Sequence, residues 1–172
     1  IGLDFYRKVI EFQRKWGASK QLEFAFQTNG TLINIKWANF FKENNWLVGL
    51  SLDGPEHIHN HYRKYKSEKN SFQKIESIAT LLLDKGVAVN AMCCVTDYSA
   101  QYAAEIYNYF KKRGLSWMQF IPVFEKKQDE MSKKQAFSVS PEQYGKFLMQ
   151  LFDLWYSDFN AGMPTTFIRY FN

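Results

Sequence analysis

Cysteine is almost missing from this chain: the 172 residues contain two, Cys93 and Cys94, side by side. Adjacent residues of a strand point to opposite faces and a disulfide between them would be strained, so a disulfide framework is excluded and a reducing, cytoplasmic compartment is expected. Long apolar runs are missing too. None approaches the roughly 18 residues that cross a bilayer, and no membrane partner is expected. Charge of one sign is not concentrated anywhere: Lys and Arg give a net +5, with small excesses at Arg63-Lys64-Tyr65-Lys66 and Lys126-Lys127. Without a continuous basic stripe carrying exposed aromatics, nucleic acid is not expected as a partner.

What the chain has is apolar surface. An apolar fraction of 46%, with 18% aromatics, is ample for one buried core and excludes disorder. The sequence opens on Ile1, is patterned almost from its first residue, and runs through Arg169-Tyr170-Phe171 to Asn172, so residues 1–172 are expected to be part of something longer.

The pattern alternates helix and strand. Phe5, Val9, Ile10, Phe12 and Trp16 recur at roughly helical spacing from Leu3 to Trp16, with Gly17 as a stop. Leu22 to Phe26 reads as a strand delivering Thr28-Asn29-Gly30 into a turn, and a helix follows from Ile35 to Asn44. Trp46 to Leu52 is nearly continuous apolar sequence ending in Asp53-Gly54-Pro55, as for a strand buried on both faces. After a long loop, Ser71 is placed to cap a helix reaching Lys85-Gly86, and Val87 to Val95 is another buried strand. Ser99 to Arg113 reads as a helix and Trp117 to Val123 as a fourth strand. Phe124 to Val139 is a lysine-rich connection, and Ser140-Pro141-Glu142 starts a fifth helix.

Strands separated by helices predict a parallel sheet with right-handed crossovers, and about four strands with five helices predict a partial α/β barrel. Chemistry in such folds sits where strands end. The candidate rim is therefore Thr28-Asn29-Gly30, Ser51-Leu52-Asp53-Gly54, Thr96-Asp97 and Gln119-Phe120-Ile121-Pro122. No glycine-rich phosphate loop follows any of these strands, which speaks against a phosphate-binding barrel.

Gln27-Thr28-Asn29-Gly30-Thr31-Leu32, then Leu47-Val48-Gly49-Leu50-Ser51-Leu52-Asp53-Gly54-Pro55, with Ile58-His59-Asn60 and Arg63, is similar to the radical S-adenosylmethionine (SAM) maturases that carry auxiliary clusters. Leu151-Phe152-Asp153-Leu154-Trp155-Tyr156 and Ile168-Arg169-Tyr170-Phe171 resemble stretches of the anaerobic sulfatase-maturating enzymes. The resemblance implies a (β/α)6-type radical SAM barrel, with SAM on a [4Fe-4S] cluster held by a CxxxCxxC loop and giving a 5′-deoxyadenosyl radical. It implies oxidation of a Cys or Ser in a sulfatase-like peptide to Cα-formylglycine, with electrons leaving through auxiliary clusters. The cluster loop would lie before Ile1 and the auxiliary cysteines beyond Asn172. Cys93 and Cys94 cannot ligate a cluster, so the chain is expected to be inactive alone.

The resemblance also assigns residues. Ser51 and Arg63 would donate to the SAM carboxylate, the arginine through its planar fork, although from sequence alone one suits a turn cap and the other a surface position. Asp53 would lie near the ribose and Asn29 near the cofactor, although both also read as turn residues. Gln119 begins the stretch that would approach the adenine. Asn172 occupies the place after Arg-Tyr-Phe where the resemblance implies an aspartate acting as general base, a role a neutral amide cannot fill. His57, His59 and His61 alternate in a polar loop without nearby cysteine, and no metal site is read from them. Two other readings stand beside this one. A related maturase acting on a different peptide is told apart by an acidic residue at or near Asn172, and a non-catalytic peptide-binding barrel by absence of cluster cysteines from the whole protein. An uncovered sheet edge also makes self-association an expectation.

Overall fold

The computed structural model describes residues 1–17, 20–124 and 137–171. Helix α1 (Leu3–Trp16) leads into strand β1 (Ala25–Thr28), followed by α2 (Ile35–Glu43) and β2 (Leu47–Ser51). Next come α3 (Glu56–Tyr62), α4 (Phe72–Asp84), β3 (Ala88–Val95), α5 (Ala103–Lys112), β4 (Trp117–Pro122), α6 (Pro141–Ser157) and a two-residue β5 (Phe167–Ile168). All strand pairs are parallel and the order in the sheet is the order in the chain, β1-β2-β3-β4-β5. Right-handed crossovers between successive neighbours put the connecting helices on one side and leave the other side as the concave face of an open barrel.

Side-chain alternation follows that division. Val48 and Leu50, Val89, Ala91, Cys93 and Val95, and Met118 and Phe120 are buried toward the helices. Gly49 and Ser51, Asn90, Met92 and Cys94, and Gln119 and Ile121 lie on the opposite face. A Cβ at Gly49 would stand 2.5 Å from the Met92 sulfur and 3.3 Å from Gln27 Cγ, so any larger residue there would push these side chains aside.

The expected α/β partial barrel stands, with two additions. A fifth strand, β5, pairs with Trp117 and Met118, and a sixth helix, α3, occupies what reads as loop. Two residues are too few for a period, and α3 is seven residues long with three histidines in place of an apolar stripe. The helix expected from Ser99 begins as a separate 3-10 turn, Ser99–Gln101, before α5. Helix α1 forms where the spacing puts it and packs through Ile10, Tyr6 and Leu3, while Phe5 and Trp16 are 52% and 73% exposed. Tyr6 instead joins Phe26, Trp37 and Trp46, and Phe24 stacks flat on Trp46 at 4.9 Å between centroids.

Helix starts show which local signals worked. Ser140 and Gln143 form the capping box ahead of α6, and Asn34 accepts from Lys36 and Trp37 to start α2. Ser71 occupies the cap position of α4 but makes no cap hydrogen bond. The oxygen of Asn60, from α3, accepts from the backbone N–H groups of Ser71 and Phe72 at 3.2 and 3.0 Å. Asn60→Ala is therefore expected to cost about 1–2 kcal/mol, read as a lower urea midpoint, by leaving two buried donors bare. An unchanged midpoint would show that α4 needs no cap from α3.

Candidate cofactor-binding site

The rim forms at the C-terminal ends of β2 and β3. Ser51, Met92 and Gln119 share one register row across β2, β3 and β4 and therefore one face. Cys94 is two residues beyond Met92 on that face, and Arg63 Nη2 donates to its sulfur at 3.3 Å. Ser51 and Arg63 thus stand on the same, concave side of the sheet.

Asp53 organises this corner. The chain turns sharply after β2 at Gly54, whose φ of +122° suits glycine. That turn leaves Asp53 6% exposed. Its Oδ1 accepts from the Cys94 N–H at 2.8 Å and from Arg63 Nη2 at 3.0 Å, while Oδ2 accepts from Arg63 Nε, a two-pronged ion pair. Burial works against the charge on Arg63, but the Asp53 carboxylate outweighs it and holds the guanidinium above its ordinary value. Burial, followed by Asp53, pushes the Cys94 thiol up, and Cys93, facing the helices, goes up further for the same reasons. Neither is poised as a thiolate.

Behind the pair lies His59, 1% exposed. The Asp53 N–H donates to its Nδ1 at 3.3 Å, its Nε2 meets Ser71 Oγ at 3.0 Å, and Ser71 Oγ donates to the Arg63 carbonyl at 2.7 Å. Burial lowers the imidazole to about 4 despite Asp53, with Arg63 adding to the fall, so the ring is neutral at pH 7. His57 and His61 are spent elsewhere, edge-on to Tyr102 and stacked 3.6 Å over Tyr98. Beside them the Tyr62 hydroxyl donates to Asp97, and burial together with that carboxylate raises it to about 12.

Asn29 closes its own turn, accepting from the N–H and hydroxyl of Thr31, and is exposed. Gln119 is half-buried, and its side-chain oxygen accepts from Asn90 at 3.5 Å. Asn172 and most of the connection after Phe124 lie outside the described residues. Sequence reasoning singled out Asp53 and Arg63 without linking them to each other, and missed His59, Ser71 and Asn60 as their support. The one available signal was the short spacing from Asp53 to Arg63 across a Gly-Pro turn.

Two donors remain at the rim. Among the described residues, the half-buried Ser51 hydroxyl and Arg63 Nη1 make no hydrogen bond, and both residues stand on the concave side of the sheet. A hydroxyl and a charged N–H fit a carboxylate such as that of SAM. An iron–sulfur cluster does not fit this chain: its two cysteines point to opposite faces, and among the described residues no group of three His, Cys, Asp or Glu is close enough to hold a metal ion.

An open parallel barrel with its donors at the C-terminal rim is the architecture of a radical SAM core. Comparison with known proteins narrows that class. The chain is 41% identical over 166 residues to the serine-type anaerobic sulfatase-maturating enzyme of Bacteroides thetaiotaomicron, covering 89% of the chain and 40% of that protein. It is 42% identical over 176 residues to the cysteine-type enzyme of Clostridium perfringens (strain 13), covering 99% of the chain and 46% of that protein. A solved structure of native anSMEcpe with bound AdoMet and Cp18Cys peptide superposes with a TM-score of 0.86 at 41% identity, over 99% of the chain and 47% of its own. No protein-family model matches. The chain belongs to the anaerobic sulfatase-maturating enzyme family and spans less than half the length of these relatives. No helix among the described residues is long and apolar enough to cross a membrane.

Proposed function

We propose that this chain is the central part of the radical SAM core of a peptide-modifying oxidoreductase, which oxidises a Cys or Ser of a sulfatase-like peptide to Cα-formylglycine. The observation that carries the reading is the pair of unpartnered donors, Ser51 Oγ and Arg63 Nη1, at the rim of a barrel whose relatives include both serine-type and cysteine-type maturases and structures with AdoMet and peptide bound. Bound to a reduced cluster, SAM supplies an adenosyl radical able to abstract hydrogen. This chain's residues do the rest by positioning: Ser51 and Arg63 hold the amino-acid end of SAM, the Asp53 turn fixes Arg63, and Gln119 and Asn90 line the concave face beneath. The cluster ligands belong to other parts of the protein. Two free thiols fit a reducing, cytoplasmic setting.

The test is incubation of the complete protein with SAM, a reductant and peptides carrying Cys or Ser at the target position, followed by mass spectrometry. Formylglycine in either peptide is the expected product; cleaved SAM with both peptides intact would overturn the substrate assignment. Arg63→Gln is expected to weaken SAM binding about 10–100-fold, measured by equilibrium dialysis, because a charge-assisted contact is lost.

A further inference from the structure

Arg63 is held at both ends by one turn. Its guanidinium is clamped by the Asp53 carboxylate, and its main chain is reached from the same residue by a second route. The direction of the hydrogen bonds settles how that route works. A backbone N–H can only donate, so the Asp53 N–H at 3.3 Å requires a bare Nδ1 on His59 and places the ring proton on Nε2. Nε2–H then donates to Ser71 Oγ, whose own proton goes to the Arg63 carbonyl. The circuit closes because the Arg63 N–H donates to the His59 carbonyl at 3.0 Å. Arg63 is the C-cap of a seven-residue helix, where the backbone leaves the helical region at φ −91° and ψ 91°, between the helix end and the bridge that Lys64 makes with Asn70. An apolar side chain would fill the same space as His59, but it would leave the buried Asp53 N–H without an acceptor and take from the Ser71 oxygen the donor that orients it toward the Arg63 carbonyl.

We propose that His59 and Ser71 are positioning residues for the cofactor, setting the backbone of Arg63 so that its remaining donor meets the SAM carboxylate. This rests on the reading of Arg63 given above. The pair of ligands that isolates it is SAM and decarboxylated SAM, which differ only in the carboxylate.

In the complete protein with its cluster reconstituted, His59→Leu and Ser71→Ala are each expected to weaken SAM about tenfold and decarboxylated SAM less than about twofold, by equilibrium dialysis. Ser71→Thr, which keeps the hydroxyl, should bind SAM nearly as wild type. Arg63→Gln serves as the reference. If it fails to separate the two ligands, the carboxylate reading itself falls. If it separates them while His59→Leu and Ser71→Ala bind both normally, or lose both equally, the positioning role falls and the reading of Arg63 survives.

Discussion

Asp53→Ala is expected to cost about 3–5 kcal/mol of folding stability, measured by urea unfolding of this chain. Two groups are stranded at once: an arginine whose side chain is only 27% exposed, and the N–H of Cys94 inside the sheet. An exposed ion pair would be worth about 0–1 kcal/mol, so the predicted size depends on burial and on the two-pronged geometry. Arg63→Met should cost less, because the Asp53 carboxylate keeps the Cys94 N–H and its Cβ remains at the turn. The double substitution should be milder than the sum, since removing both charges removes the unpaired one. If Asp53→Ala lowers stability by under about 1 kcal/mol with an unchanged denaturant slope, the pair is solvated and cannot be the anchor of this corner.

Much of the fold is legible in the sequence because much of it is local. Strand β2 reads from Trp46–Leu52 and lies at Leu47–Ser51, α2 reads from Ile35–Asn44 and lies at Ile35–Glu43, and Ser140 does cap α6. Errors fall where tertiary context decides. The helix at Leu3–Trp16 forms as read, but of its spaced apolar residues Ile10 is buried while Phe5, Phe12 and Trp16 are exposed, and nothing within fourteen residues can say which face another element will cover. Ser71 stands in the right place to cap α4 by itself, but Asn60 arrives from eleven residues earlier and frees its hydroxyl for His59 and Arg63.

The site divides the same way. Ser51, Asp53 and Arg63 are visible by resemblance, and the rim by the rule that loops after parallel strands carry chemistry. What one sequence cannot show is which of them touch. Asp53 looks like an ordinary Asp-Gly-Pro turn, and it is one; it is also the partner of Arg63 and of a backbone N–H forty-one positions away. That contact converts an arginine readable as surface into one with most of its donors already committed. It also leaves a single nitrogen for a ligand, so the cofactor would be met by a fixed donor and not by a mobile side chain.

His59 has an imidazole lowered from 6.5 to about 4. The unfolded chain therefore takes up a proton at this residue across a range where the folded chain does not, and stability rises with pH through that range. The contribution is complete above pH 6.5, declines as pH falls, and is gone below about 4, amounting to about 3 kcal/mol in all. Its neighbours are Asp53, which favours the proton, and Arg63, which opposes it, with Ser71 needing the ring's N–H. Asp158, held low chiefly by its hydrogen bond from Lys111, acts in a separate window below its ordinary 3.8. Urea midpoints from pH 7 to pH 4 should thus fall steeply in the wild type and about half as steeply or less in His59→Gln, whose amide has no proton to gain. Equal slopes in the two proteins would mean that His59 titrates normally in the folded state. Protonation would turn Nδ1 into a donor facing the Asp53 N–H, so a normally titrating His59 would mean that burial and this contact together do little to hold the ring neutral.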